Sequence, residues 1–255
     1  GTRAFEIEFD FGDHRLRIAT ADGERRSFAL QPMSVAAFYR KIMRALGELQ
    51  IEVRIWPMPV EIPDPIQPFP ENEALDAYDS EAVERFFGAL VQEQRVFTEF
   101  RARFIGKASP VHFFWGAFDL AVTRFSRRGA PKHPGGAPNC ADWVMEEAYS
   151  HEVSSAGFWP GAGLGEAAFY AYAYPEPDGF RDYPVGPAAA AYYHKELGEF
   201  LLPYEAVRTA DDPDAALLEF LQRTYEAAAQ NAGWNREALE RETDPKDRLL
   251  QTLYR

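Results

Sequence analysis

Phe5-Glu6-Ile7-Glu8-Phe9-Asp10-Phe11 sets a large apolar residue at every second position and a carboxylate between each pair. A strand turns successive side chains to opposite sides, so this period of two reads as a β-strand with one buried and one wet face. Gly12-Asp13 turns the chain into Leu16 and Ile18, flanked by Arg15 and Arg17, and Asp22-Gly23 turns it again toward Phe28 and Leu30. Short glycine-containing turns between alternating runs predict an antiparallel meander. Carboxylates on the wet face of the first strand meet the arginines of the second as cross-strand pairs, which accounts for those charges without a site.

Downstream, Ser34 is expected to cap a helix carrying Val35, Phe38, Tyr39, Ile42 and Leu46 at helical spacing. Ile51, Val53 and Ile55 alternate with Glu52 and Arg54 and predict a fourth strand, giving a β-β-β-α-β unit. Six prolines between Pro57 and Pro70 remove backbone donors and predict an extended connector. Ser80 is expected to cap a long helix with Val83, Phe86, Phe87, Leu90, Phe97 and Phe104 along one face. Three aromatic strand-like segments follow, over 111–125, 149–159 and 169–174, and Asp212-Pro213 opens a last long helix ending near Gly233. The expected fold class is α+β, mostly antiparallel sheet packed by two long helices and one shorter helix. It is expected to form a single domain over 1–255, with subdomains 1–62 and 75–235 joined by the Pro-rich 57–70.

The chain has 255 residues and a formal net charge of -13, which repels phosphate backbones and anionic lipid heads. Arg124, Arg127 and Arg128 are too few to make a nucleic-acid groove, so nucleic-acid and membrane partners are not expected. No run approaches the roughly 20 apolar residues that span a bilayer. A single cysteine, Cys140, and no signal-peptide pattern predict a reducing cytoplasm. The chain starts inside a strand pattern, so a preceding segment is expected.

What composition leaves unexplained is the aromatic second half, where 20 Phe and 12 Tyr in the whole chain imply aromatic-lined interior surfaces. His112 and Asp119 lie in Val111 to Phe125, with Trp115 between them and Arg124 beyond. Along an unbroken strand His112 and Arg124 share one face and Asp119 takes the other; a bulge at Gly116 would reverse that parity. Polar groups in such company are most often paired structural residues. His151, Glu152 and two serines share an aromatic-framed segment ending at Gly157-Phe158-Trp159, but neighbours on a strand face opposite ways. Phe169 to Tyr174 sets three tyrosines on one face, and Phe169 with two alanines on the other.

Three function classes follow. In the first, a small molecule binds among the aromatic strands, and His112, His151, Glu152 and Asp119 supply acid-base groups or metal ligands. Arg124 then anchors an anion, with Trp115, Trp159, Tyr170 and Tyr172 as walls. A metal would need a further ligand, for which Asp119, Glu176 or His194 are candidates, and no known ligand spacing is present. A serine hydrolase is disfavoured because no Gly-x-Ser-x-Gly elbow exists, and Gly161-Ala162-Gly163-Leu164-Gly165 leads into a strand where a phosphate loop needs a helix. The second class is a non-catalytic interaction module, and the third a homo-oligomer joined through the aromatic strands.

Phe5 to Phe11, Ile55 to Pro63, Val111 to Phe125, Ser150 to Pro160 and Phe169 to Pro177 together resemble a family of bacterial proteins known as domain-of-unknown-function family 5996. The resemblance implies an uncharacterised cytoplasmic protein with no assigned catalytic residues. It also implies a preceding segment rich in Trp and His that this chain lacks.

Overall fold

The computed structural model describes residues 3–62, 66–74 and 77–241. The chain forms two compact units, residues 1–91 with 137–140, and residues 92–136 with 141–255. All strand pairing is antiparallel, and the fold is α+β as expected.

In the first unit β1 (Phe5–Asp10), β2 (Arg15–Thr20) and β3 (Arg25–Ala29) make the expected meander. Leu16 and Ile18 of the central strand are fully buried, and α1 (Val35–Glu48) adds Ala45 and Leu46 to the same core. Ser34 caps α1 by accepting the Ala37 N–H at 3.1 Å. On the wet face Arg17 reaches Asp10 at 2.5 Å, as the charge alternation predicted.

The predicted fourth strand is not formed. Residues 51–55 pair with no strand among the described residues; Ile51 instead donates its N–H to Leu46 at 2.9 Å and joins the α1 core. Its alternation matches burial only in part: Ile51 is buried and Val53 packs on the same core, but Ile55 is 50% exposed. Pro63 to Pro65, part of the predicted connector, lie outside the described residues.

Helix α2 (Ser80–Ala102) passes from one unit into the other. Asp79, not Ser80, caps it, accepting the Ala82 N–H at 3.0 Å. Helix α3 (Asp142–Ala148) is short, and the second unit is built on six strands in the order β4-β5-β6-β7-β9-β8. They are β4 (His112–Phe114), β5 (Asp119–Gly129), β6 (His151–Trp159), β7 (Ala168–Tyr174), β8 (Tyr192–His194) and β9 (Glu199–Pro203). The two edge strands, β4 and β8, have three residues each. Helices α4 (Tyr204–Arg208), α5 (Pro213–Asn231) and α6 (Arg236–Leu239) complete the unit. Asp212 caps α5, with Pro213 at its first position, as the sequence predicts.

One face of this sheet is covered by helices. Phe169 meets Phe97 of α2 at 6.3 Å, and Arg124 lies between helices, its guanidinium carbon 3.5 Å from the Phe100 ring centre and 4.3 Å from that of Tyr225. Arg124 is among the largest fully buried side chains of the described residues. It donates one hydrogen bond to the Phe100 carbonyl, while burial drives its pKa down to about 9. Three aromatic faces, the third that of Phe104 at 5.1 Å, thus stand where a directly paired carboxylate would be.

Removing a buried charge while keeping volume is close to neutral, whereas removing the volume leaves a cavity. Arg124→Met is expected to change stability by less than about 1 kcal/mol and Arg124→Ala to cost about 3 kcal/mol, read from urea denaturation of the purified protein.

Candidate functional site

The parity of the sheet decides which polar residues meet. Trp115 to Phe118 form a tight turn, with Phe118 at φ +61°, so Val111 to Phe125 is a hairpin and not one strand. His112 therefore pairs with Ala121 and Phe114 with Asp119, which sets His112 on the face of Asp119 and leaves Arg124 on the other. The expectation for an unbroken strand is reversed by this turn.

Across the sheet, Ala121 pairs with Gly157, Gly157 with Tyr170, and Tyr170 with Leu201; one row along, Thr123 pairs with Ser155 and Ser155 with Tyr172. Six of the nine predicted site residues, His112, Asp119, His151, Trp159, Tyr170 and Tyr172, share the face away from α2 and α5. Arg124 and Glu152 do not. Glu152 accepts from Arg128 at 2.7 Å, and Arg128 also donates to the Ala232 carbonyl at the end of α5 at 2.6 Å, which makes this ion pair a helix terminus fastening. A cleft of about 260 Å³ beside it has Arg128 and Glu152 as its charged lining, and they neutralise each other. Trp115 sits at the hairpin turn, 60% exposed.

The six residues are not equally close. Tyr170 donates its hydroxyl to the buried Asp119 carboxylate, and its ring stacks on Tyr172 at 6.1 Å and 13°. Tyr172 in turn shares a 2.7 Å hydrogen bond with Tyr149, whose ring stacks on His133 at 4.6 Å. Burial holds both Tyr170 and Tyr172 well above the usual phenol range, so they remain donors. Thr123 and Ser155 hydroxyls are 2.9 Å apart in the same row. His112 packs at 4.1 Å on Phe114, and burial lowers its pKa, favouring the neutral ring. His151 stands at the exposed end of β6 against Ser150, 3.1 Å away.

Gly157 makes the Asp119 contact possible. A Cβ there would lie 2.4 Å from the Tyr170 hydroxyl and 2.5 Å from the Leu120 carbonyl. The bare backbone is what lets the Tyr170 ring cross β6 to reach β5.

Glu199 is the site residue that the sequence reading missed. Continuing the β7–β9 register one step sets it beside Tyr172, and it pairs with His194 on β8. Burial, and then the charge of Asp119, push its carboxyl up to about 7. The signal for it was a hairpin, Tyr192-Tyr193-His194 and Phe200-Leu201-Leu202 about Gly198 at φ +72°, that periodicity alone does not separate from loop. Of the other metal candidates, Glu176 is held by Arg181 at 2.6 Å and by the Tyr193 hydroxyl at 2.5 Å. Among the described residues no group of three His, Cys, Asp or Glu side chains is placed to hold a metal ion. Among them, too, no helix is long and apolar enough to cross a membrane.

The geometry defines an α+β protein with an aromatic, carboxyl-bearing face on a six-stranded antiparallel sheet. The chain belongs to DUF5996, a family of unknown function whose model matches residues 1–241. Neither the curated proteins nor the solved structures contain a match to it.

Two measurements check the site. Gly157→Ala is expected to part Tyr170 from Asp119 and to destabilise the fold by about 1–3 kcal/mol, read by denaturation and by the Tyr170 ring signals in NMR. In carboxyl-detected NMR, Glu199 is expected to titrate near 7 and to titrate lower in Asp119→Asn. Its raised pKa means that the folded state keeps a proton the unfolded chain has lost. Its contribution to stability therefore declines from about pH 4.5 up to about pH 7 and is constant above that.

Proposed function

We propose that this protein binds a small molecule on the face of the six-stranded sheet away from α2 and α5, and that the ligand is rich in hydrogen-bond donors. The observation that carries the reading is the presence of two carboxyls, Asp119 and Glu199, on one face with a row of tyrosines. A carboxylate accepts hydrogen bonds, and tyrosine rings offer flat contact area with a polar edge. Arg124, the candidate anchor for an anion, is enclosed between Phe100 and Tyr225 on the other face, so the chemistry favours amines and polyols over carboxylates or phosphates. Glu199, with its carboxyl near 7, is suited to pass a proton at neutral pH, and burial, then Asp119, keep that carboxyl high. A cytoplasmic setting fits the single cysteine and the acidic surface.

A second reading, a protein-interaction module, is favoured by Trp115 and Phe118 at the β4–β5 turn, 60% and 43% exposed.

Ligand-observed NMR with a panel of small amines, polyols and carboxylates separates the two readings. Amine or polyol hits that vanish in Glu199→Gln support the first. Carboxylate hits, or hits unchanged in Glu199→Gln and Asp119→Asn, would sink it.

A further inference from the structure

Glu93 of α2 is 4% exposed, and neither of its carboxyl oxygens has a hydrogen-bond partner. A buried polar group in that state costs stability, and a charged one costs far more. It stands one turn before Phe97, the residue that packs on Phe169 of β7, and is the first buried position of α2. It therefore lies where the helix meets the sheet, just past the point at which α2 enters the second unit.

The groups around it give its charge no counterion. Helix α4 brings Tyr204, whose hydroxyl is pushed up by burial and then by Glu93, and whose ring packs on Phe158 and Phe169 at 5.5 and 6.1 Å. The charged residues of α4, Glu205 and Arg208, are paired with each other at 2.6 Å. From α5, Asp214 is paired with Arg95 of α2 at 2.6 Å. Strands β6 and β7 offer Phe158 and Phe169. A proton on the carboxyl is the one compensation left, and burial pushes its pKa up to about 8.

We propose that Glu93 makes the seating of α2 on the six-stranded sheet pH-dependent: with the carboxyl neutral the helix lies on the sheet, and with it charged the stretch from Gln92 to Phe100 lifts to give the carboxylate water. The sign follows from linkage. Seated, the group holds its proton up to about pH 8; released, it loses it near the ordinary 4.5. The lifted state is thus favoured progressively as pH rises between those values, and no further above them. From pH 6 to pH 8 the opening constant rises by about 50-fold and then levels off.

Hydrogen exchange of the whole chain, corrected for the intrinsic pH dependence of exchange, reads this directly. The expected result is that amides of 96–102 lose protection by about 50-fold from pH 6 to pH 8, and that throughout this range they exchange faster than amides of 217–229 in α5, which open only with the whole fold. In Glu93→Gln the protection of 96–102 is expected to be flat over the same range, and Glu93→Met is expected to be flat and at least as protected. The proposal is overturned if α2 protection does not change with pH in the native protein. It is overturned equally if amides of 96–102 exchange no faster than those of 217–229, so that α2 opens only with the whole fold, or if the loss persists in both variants.

Discussion

The second unit depends on the register of β5, β6 and β7. Once Thr123 lies opposite Ser155 and Ser155 opposite Tyr172, every other side chain is committed to the helices or away from them. Phe158 and Phe169 then meet α2 and α4, Arg124 lies between Phe100 and Tyr225, and Asp119, Tyr170 and Tyr172 are gathered on the other side. A slip of one residue would bury the tyrosine row under helices and expose the phenylalanines. The glycine at 157 belongs to the same constraint, since at that crossing the Tyr170 side chain from β7 passes over β6.

Much of this was legible in the sequence, because period-two alternation and helix caps are local signals. The meander from Phe5, the Ser34 and Asp212 caps and the two faces of Phe169 to Tyr174 follow from neighbouring residues alone. What was not legible has a common physical character. The turn at Trp115 to Phe118 carries Gly116 but places the left-handed residue at Phe118, where sequence gives no cue, and that turn sets the parity of Asp119. Glu199 comes to the site only through pairing with β7, a contact between distant parts of the chain. Ile51 to Ile55 shows the converse, a local alternation with no strand to pair with. Arg124 and Glu152 have the residue types of a site, but their partners, Phe100, Tyr225 and Arg128, come from elsewhere in the fold.

The charged groups of the second unit separate by the partners they find. Arg124 takes aromatic faces, Arg128 takes Glu152 and a helix end, and Arg95 takes Asp214. Among the described residues Glu93 and Glu199 form no ion pair with a cation, and both are pushed upward by burial. A protein with a net charge of -13 can place most carboxylates in water. The three that it keeps inside or half inside, Glu93, Asp119 and Glu199, are therefore the informative ones, one beneath a helix and two beside a tyrosine row.

The shortness of β4 and β8 has a consequence for solubility. A sheet border offers unpaired backbone groups on which another chain can grow, and its hazard scales with its length. Here each border of the six-stranded sheet exposes a strand of three residues, beyond which the chain turns away at Trp115 and at Lys195. Fibril-like accretion along this sheet has little to start from, so the aromatic richness of its strands can be carried without the aggregation that a longer border of the same composition would invite.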